Sequence, residues 1–274
     1  MSAENIIILL ATGAVSGFAG GMLGLGGAFL MTPMQFMVYT RMGLPEDVAI
    51  LTAFGTSLLV VLMTAINGAW RHHREKAVSW RVAIIMGGSG LLFSLGGATL
   101  AVYIPGAALK ITFGVIALFG CIRMLIATRE RTEAEPVNNP WLWVAWAIPV
   151  GLLSGILGVG GGVLMIPILV IALRFKMHNA VANSLAIMIF MSIGGIIGYI
   201  VNGIGVAGRP DYSIGYINIP SWALLAIPSA IMAQVGAMTA HKMPRKLLMY
   251  LFIVIMFYMG LKMIGVFEWL GWPI

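Results

Sequence analysis

The sequence predicts an all-α polytopic membrane protein: two homologous repeats in inverted topology, each a glycine-broken helical hairpin followed by three transmembrane helices. Three observations carry this. Hydrophobic residues make up 60% of the 274-residue chain and charged residues 9%, with mean hydropathy +1.00, whereas a water-facing surface needs several times that charge. A glycine-rich turn occurs twice, as GGMLGLGGAFLMTP from Gly20 to Pro33 and SGILGVGGGVLMIP from Ser154 to Pro167. An offset of 134 residues superimposes Gly17 to Pro33 on Gly151 to Pro167 with nine of seventeen positions identical, which marks a duplication. Third, the basic residues fall in short loops between apolar runs, and their distribution between the two sides selects one topology.

The first repeat is placed at 1–128. Between Glu4 and Arg41 lie 36 uncharged residues, which as one helix would extend ~54 Å against ~30 Å of hydrocarbon. The segment must turn, and Gly24-Leu25-Gly26-Gly27 permits the backbone angles of a reversal, so a hairpin is predicted over 5–41. The amino terminus, MSAEN, lacks a basic n-region, and its apolar run outlasts an h-region; it is expected to stay in the mature protein. Spans follow at 48–69, 82–102 and 106–127, with Pro105 suited to a first helical turn. The mixed-charge stretch RERTEAEPVNNP, 129–140, reads as a solvated cytoplasmic linker. The second repeat, 141–274, has its hairpin at 141–173 around Gly158-Val159-Gly160-Gly161-Gly162, then spans at 180–201, 217–240 and 247–267, with Pro244 matching Pro105.

If each broken segment crossed the membrane once, the 16 Lys and Arg would divide nine to seven. If each returns to its starting side, one side receives only Arg41, Lys110, Arg209 and Lys262 and the other receives twelve. That asymmetry matches the positive-inside rule. It predicts both termini outside, the arginine-rich loops in the cytoplasm, and residence in the cell membrane. Three crossings per repeat then turn the second copy upside down, as in many secondary transporters. All eight tryptophans lie near segment ends, the pattern of an interfacial belt. Membrane topology accounts for the net charge of +7, so no nucleic-acid partner is expected. The single Cys121 allows no intrachain disulfide.

Broken helices expose backbone groups that lipid cannot satisfy, so protein or a water-filled cavity must receive them. In both hairpins the glycine turn precedes a helix whose first N–H groups point back into the turn, carrying a partial positive charge of roughly half a unit. Two such ends facing each other would hold a small anion. The competing reading is that the glycines only permit close helix packing. A second matched pair, Gly55-Thr56-Ser57-Leu58 and Asn183-Ser184-Leu185, offers hydroxyl and amide groups to substrate oxygens, or bonds its own helix's carbonyls. Asn67, Asn202 and Gln234 read as interhelical hydrogen-bonding residues. All nine Asp and Glu fall at span ends or in loops, so no carboxylate stands where a proton relay or sodium site usually has one. His72, His73, His178 and His241 map to the cytoplasmic side and read as interfacial, with a metal site on them as the weaker alternative; no metal and no cofactor is expected.

The chain resembles the sulfite exporter TauE/SafE family of membrane transporters. The likeness rests on the paired glycine turns, GTSL at 55–58, VSWR at 78–81 and IPGAALKITFGVIALFGCIRML at 104–125. It implies movement of small sulfur-containing or organic anions such as sulfite, sulfonates and sulfoacetate. The family's glycine turns would correspond to Gly24, Gly26, Gly27, Gly158, Gly160, Gly161 and Gly162, and its GTS element to Gly55, Thr56 and Ser57. Ala28 stands where the second turn has Gly162, and the second copy reads ANSL, so an asymmetric site is expected. The predicted function is a secondary transporter of small anions working by alternating access. Its partners are the anionic substrate and membrane lipid, with Thr56, Ser57, Asn183 and Ser184 orienting the anion. An anion channel of the same architecture and an integral-membrane enzyme using the histidines are the rivals.

Overall fold

The computed structural model describes residues 1–23, 27–126, 136–239 and 245–270. In the first repeat α1 (Ala3–Leu23) and α2 (Ala28–Arg41) precede α3 (Glu46–Arg74), α4 (Trp80–Ala101) and α5 (Gly106–Ile126). In the second, α6 (Pro140–Leu157) and α7 (Gly162–Pro167) precede α8 (Met177–Gly203), α9 (Ile219–Thr239) and α10 (Arg245–Ile264), and α11 (Val266–Trp269) adds one turn. Helix α7 runs on as a π-helical turn, Ile168–Ala172, where Pro167 removes an N–H from the ladder. Five of these helices, α1, α3, α4, α6 and α8, are long and apolar enough to cross a membrane. The chain is a multi-pass membrane protein.

Helices α3 and α8 form the centre, with Ala49, Ile50, Ala53, Phe54, Leu58, Ala186, Ile187, Met188 and Met191 buried. The outer helices present apolar side chains outward, Leu92 67%, Ile227 63% and Val254 64% exposed, a surface stable in lipid rather than water. Trp70, Trp141 and Trp269 are exposed near helix ends, as an interfacial belt requires. Trp143 departs from that expectation. It is buried and its Nε1 donates to Val137 O at 2.9 Å, so it closes the base of the second hairpin.

Both broken segments return to their starting ends. Arg41 pairs with Glu4 at 3.1 Å across the base of the first. Val137 N donates to Leu173 O at 3.0 Å across the base of the second. The end of the bundle that holds Glu4 and Arg41 also carries Lys110 on Glu46 at 2.9 Å, Gly106 N on Asp47 Oδ1 at 2.5 Å, and Gly208 beside Pro45. The opposite end carries Trp80 Nε1 donating to His73 Nδ1 at 2.9 Å and Ser79 N donating to Asn183 Oδ1 at 2.9 Å.

Close contacts at small residues set the helix directions. Gly13 meets Leu225 and Gly17 meets Ser229, so α1 and α9 run parallel; Gly151 meets Gly90 and Gly155 meets Ser94, so α6 and α4 do too. Gly195 meets Leu58 and Gly68 meets Leu185, so α3 and α8 run antiparallel; Gly114 meets Gly260 and Gly120 meets Met256, so α5 and α10 do as well. Close backbone approach at small residues is how helices associate where lipid removes the hydrophobic drive.

One element departs from the all-α expectation. The connection from α8 to α9 holds a minimal antiparallel pair, β1 (Ser213–Ile214) and β2 (Ile217–Asn218). Its turn buries Tyr216 against Gly55 and Tyr199, and Arg209 secures it by donating to Val206 O and to Gly215 O.

Candidate substrate site

The second glycine turn reaches the middle of the central helices. Helix α6 ends at Gly158, which is left-handed at φ 65, and a methyl group there would meet Phe54 Cα and Cβ at 2.5 Å. The Tyr199 hydroxyl lies 2.9 Å from Gly155 O and 3.0 Å from Ile156 O and supplies a donor to carbonyls that a helix C-terminus leaves without one. Gly160, at φ 74, faces Val61, Met188 and the Ser192 hydroxyl; Gly161, at φ 82, faces Met191, Val150 and Ser154. Gly162 begins α7, whose first internal bonds run from Leu164 N and Met165 N to Gly161 O.

Two serines touch this turn and a third stands beside Gly155, just before it in α6, and sequence reasoning passed over all of them. Ser94 on α4, Ser154 on α6 and Ser192 on α8 are buried, and their hydroxyls have no hydrogen-bond partner. Ser94 Oγ lies beside Gly195, one helical turn from Ser192, and Ser154 lies beside Gly161. A buried hydroxyl left unpaired costs about 1–3 kcal/mol, so three such hydroxyls at or next to a bend of left-handed glycines are the strongest sign of a polar ligand in the described residues. A lone serine in an apolar helix carries no distinguishing pattern; only the fold brings these three together.

The first turn is described from Gly27 onward, and Gly24 and Gly26 lie outside the described residues. Gly27 precedes α2 with φ 71 and ψ −6, and Gly161 precedes α7 with φ 82 and ψ −6. In both, the third and fourth following N–H groups donate back to the glycine carbonyl. The two glycines thus share one backbone conformation. On α2, Thr32 Oγ1 donates to Ser57 Oγ at 2.9 Å and Gln35 Nε2 donates to it at 2.7 Å, all three residues buried. Thr32 and Gln35 are further polar residues that hydropathy alone does not distinguish.

The other predicted residues serve the frame. Gly55 admits the backbone of Tyr216. Thr56 Oγ1 accepts Asn218 N at 2.9 Å, and Asn183 Oδ1 accepts Ser79 N, so each secures the residue just before a helix, α9 and α4 respectively. Asn183 Nδ2 and Ser184 Oγ donate to carbonyls of their own helix, Asn179 O and Val181 O, the local bonding expected of such side chains. Asn183 stands five residues before Met188, ~7 Å along the axis, and is not brought to the second glycine turn.

A multi-pass helical bundle with two broken helices and unpaired hydroxyls at its core has the build of a membrane transporter. The chain belongs to the sulfite exporter TauE/SafE family, whose profile matches residues 9–263. A probable membrane transporter protein of Methanocaldococcus jannaschii is 33% identical over 259 residues, covering 94% of each chain. One of Haemophilus influenzae is 26% identical over 242 residues, 87% of this chain and 90% of its own. A third, of Bacillus subtilis, is 25% identical over 292 residues, 96% of this chain and the whole of its own. No solved structure matches.

Proposed function

We propose that the chain is a secondary transporter of a small sulfur-containing or organic anion, such as sulfite or an organosulfonate, working by alternating access. The observation that carries this is the set of unpaired hydroxyls of Ser154 and Ser192 beside Gly160 and Gly161, with Ser94 next to them beside Gly155 and Gly195. Hydroxyl and turn N–H donors replace the hydration of an oxyanion without a buried lysine, and the start of α7 adds a favourable partial charge. Gly27, Ser57, Thr32 and Gln35 form the counterpart wall, with Thr56 tying α3 to the start of α9 beside it and Asn183 fixing the start of α4. The acidic residues of the described chain, Glu4, Glu46, Asp47, Glu75, Asp211 and Glu268, all sit at helix ends, in loops or in the short α11, which disfavours a cation at the core.

An inverted repeat is supported by helix direction. Counterparts α3 and α8 run antiparallel, as do α5 and α10, while α1 packs along α9 as α6 packs along α4. A twofold axis relating antiparallel spans lies in the membrane plane, so the two repeats would rock about a site near it. Lys and Arg distribution favours both termini outside, in the cell membrane.

Reconstituted liposomes test the reading, with flux of sulfite, sulfate, thiosulfate, taurine, sulfoacetate and simple carboxylates measured with and without a pH gradient. Saturable anion flux with counterflow is expected, and combined Ser94→Ala, Ser154→Ala and Ser192→Ala substitution is expected to lower it at least ~10-fold while thermal stability holds or rises. Movement of cations alone, or of nothing, rejects the anion; flux without saturation or counterflow indicates a channel. Unchanged flux in the triple variant removes the serine site.

A further inference from the structure

The end of the bundle opposite Glu4 gathers two of the histidines that the sequence places on the cytoplasmic side, together with one carboxylate. His72 lies in the last turn of α3, Glu75 caps that helix, and His178 lies in the first turn of α8. Their donor atoms all lie within 4.8 Å of one another: His72 Nδ1 is 3.4 Å from Glu75 Oε2, and His178 Nε2 is 3.7 Å from the same oxygen. The two imidazoles meet edge to face with centroids 5.3 Å apart. Ligands at ~2.0–2.2 Å from a tetrahedral ion stand a little over 3 Å from each other, so these separations need only small side-chain movement to close on one. The His72 Nδ1 atom is buried without a hydrogen-bond partner. Arg71 Nε lies 3.8 Å from the other oxygen, Oε1, which turns Oε2 toward the histidines as outer-shell partners do in metal sites.

We infer that His72, Glu75 and His178 form a site for a divalent transition metal, with zinc as the best match to two imidazoles and one carboxylate. Magnesium and calcium prefer all-oxygen shells and are not expected. Three protein ligands leave a fourth position for water. The site joins the carboxyl end of α3 to the amino end of α8, with His72 and His178 106 positions apart in the chain, so an occupied site staples the two repeats at one face of the bundle. If the proposed alternating access holds, opening that face separates α3 from α8, and the metal slows the cycle.

The test uses tag-free, chelator-stripped, full-length protein in detergent, titrated with Co2+ and then Zn2+. One equivalent of Co2+ with the visible spectrum of a four-coordinate ion, displaced by Zn2+, is expected. Loss of a mere outer-shell partner weakens metal sites 10–100-fold, so His178→Ala and Glu75→Gln should each weaken binding at least ~100-fold. His73→Ala should leave it unchanged, since His73 faces Trp80. His178 and Glu75 are both exposed, so these variants keep the fold, checked by monodispersity. Absence of saturable binding, or binding that survives His178→Ala and Glu75→Gln, overturns the site. In liposomes Zn2+ should slow flux through the wild type and spare His178→Ala. The cobalt titration needs no flux, so failure of the metal site and failure of the transport reading are separately visible.

Discussion

Gly158→Ala gives the sharpest reading of how the second turn is held. At φ 65 an L side chain costs roughly 1–2 kcal/mol. The added carbon would also stand 2.5 Å from Phe54 Cα and Cβ and 2.7 Å from its carbonyl oxygen. Two of these atoms are α3 backbone and cannot rotate away, so about 1–3 kcal/mol of overpacking follows. Gly43→Ala separates the two contributions. Gly43 is left-handed at φ 83 but has nothing within 4 Å of the added carbon, so it carries the backbone cost alone. At about 2–4 °C per kcal/mol for chains of this order of size, Gly158→Ala should lower Tm by at least ~2 °C more than Gly43→Ala. Thermal unfolding of both variants in one detergent, followed by tryptophan fluorescence, measures the difference. Equal shifts would refute the close approach of the turn to α3.

Three further outcomes follow from named contacts. Ser57→Ala strands the Thr32 hydroxyl and the Gln35 amide, both buried, and should destabilise by about 2–6 kcal/mol, with added Thr32→Val recovering part, because removing both partners of a buried bond is nearly neutral; denaturation midpoints decide it. Tyr199→Phe removes the hydroxyl beside the last carbonyls of α6 and should cost about 1–3 kcal/mol, read as a lower Tm. With Cys121 replaced, cysteines at positions 44 and 208 should react with an impermeant reagent from the same side, outside the cell, since Gly208 packs beside Pro45; labelling of either from the cytoplasm rejects the hairpin topology.

What could be read from the chain before folding follows from which signals are local. A 36-residue uncharged run exceeds what one membrane crossing accommodates, so a break is forced by length, and glycines mark where it falls. Charge asymmetry then indicates that each segment returns, and Glu4 with Arg41 and Val137 with Leu173 lie together at the hairpin bases. The short pairing at 213–218 was not legible, because two-residue strands carry no period-2 pattern. They form because Asn218 and Tyr216 tie the loop to α3 and α8 while Arg209 braces it internally.

Side-chain roles were less legible than backbone breaks, and Thr56 and Asn183 show why. A hydroxyl or amide in an apolar span signals only that some polar partner must exist. That partner is Asn218 N for Thr56 and Ser79 N for Asn183, 162 and 104 residues away, so no window along the chain contains both members of a pair. The same distance hides the three core serines, which arrive from α4, α6 and α8. It hides the histidine pair as well, since His72 and His178 meet only because α3 and α8 run antiparallel and place a C-terminus against an N-terminus. The glycine turn was legible because its constraint is backbone conformation, written into consecutive residues. A ligand site, by contrast, is a convergence of distant residues, which no stretch of consecutive ones displays.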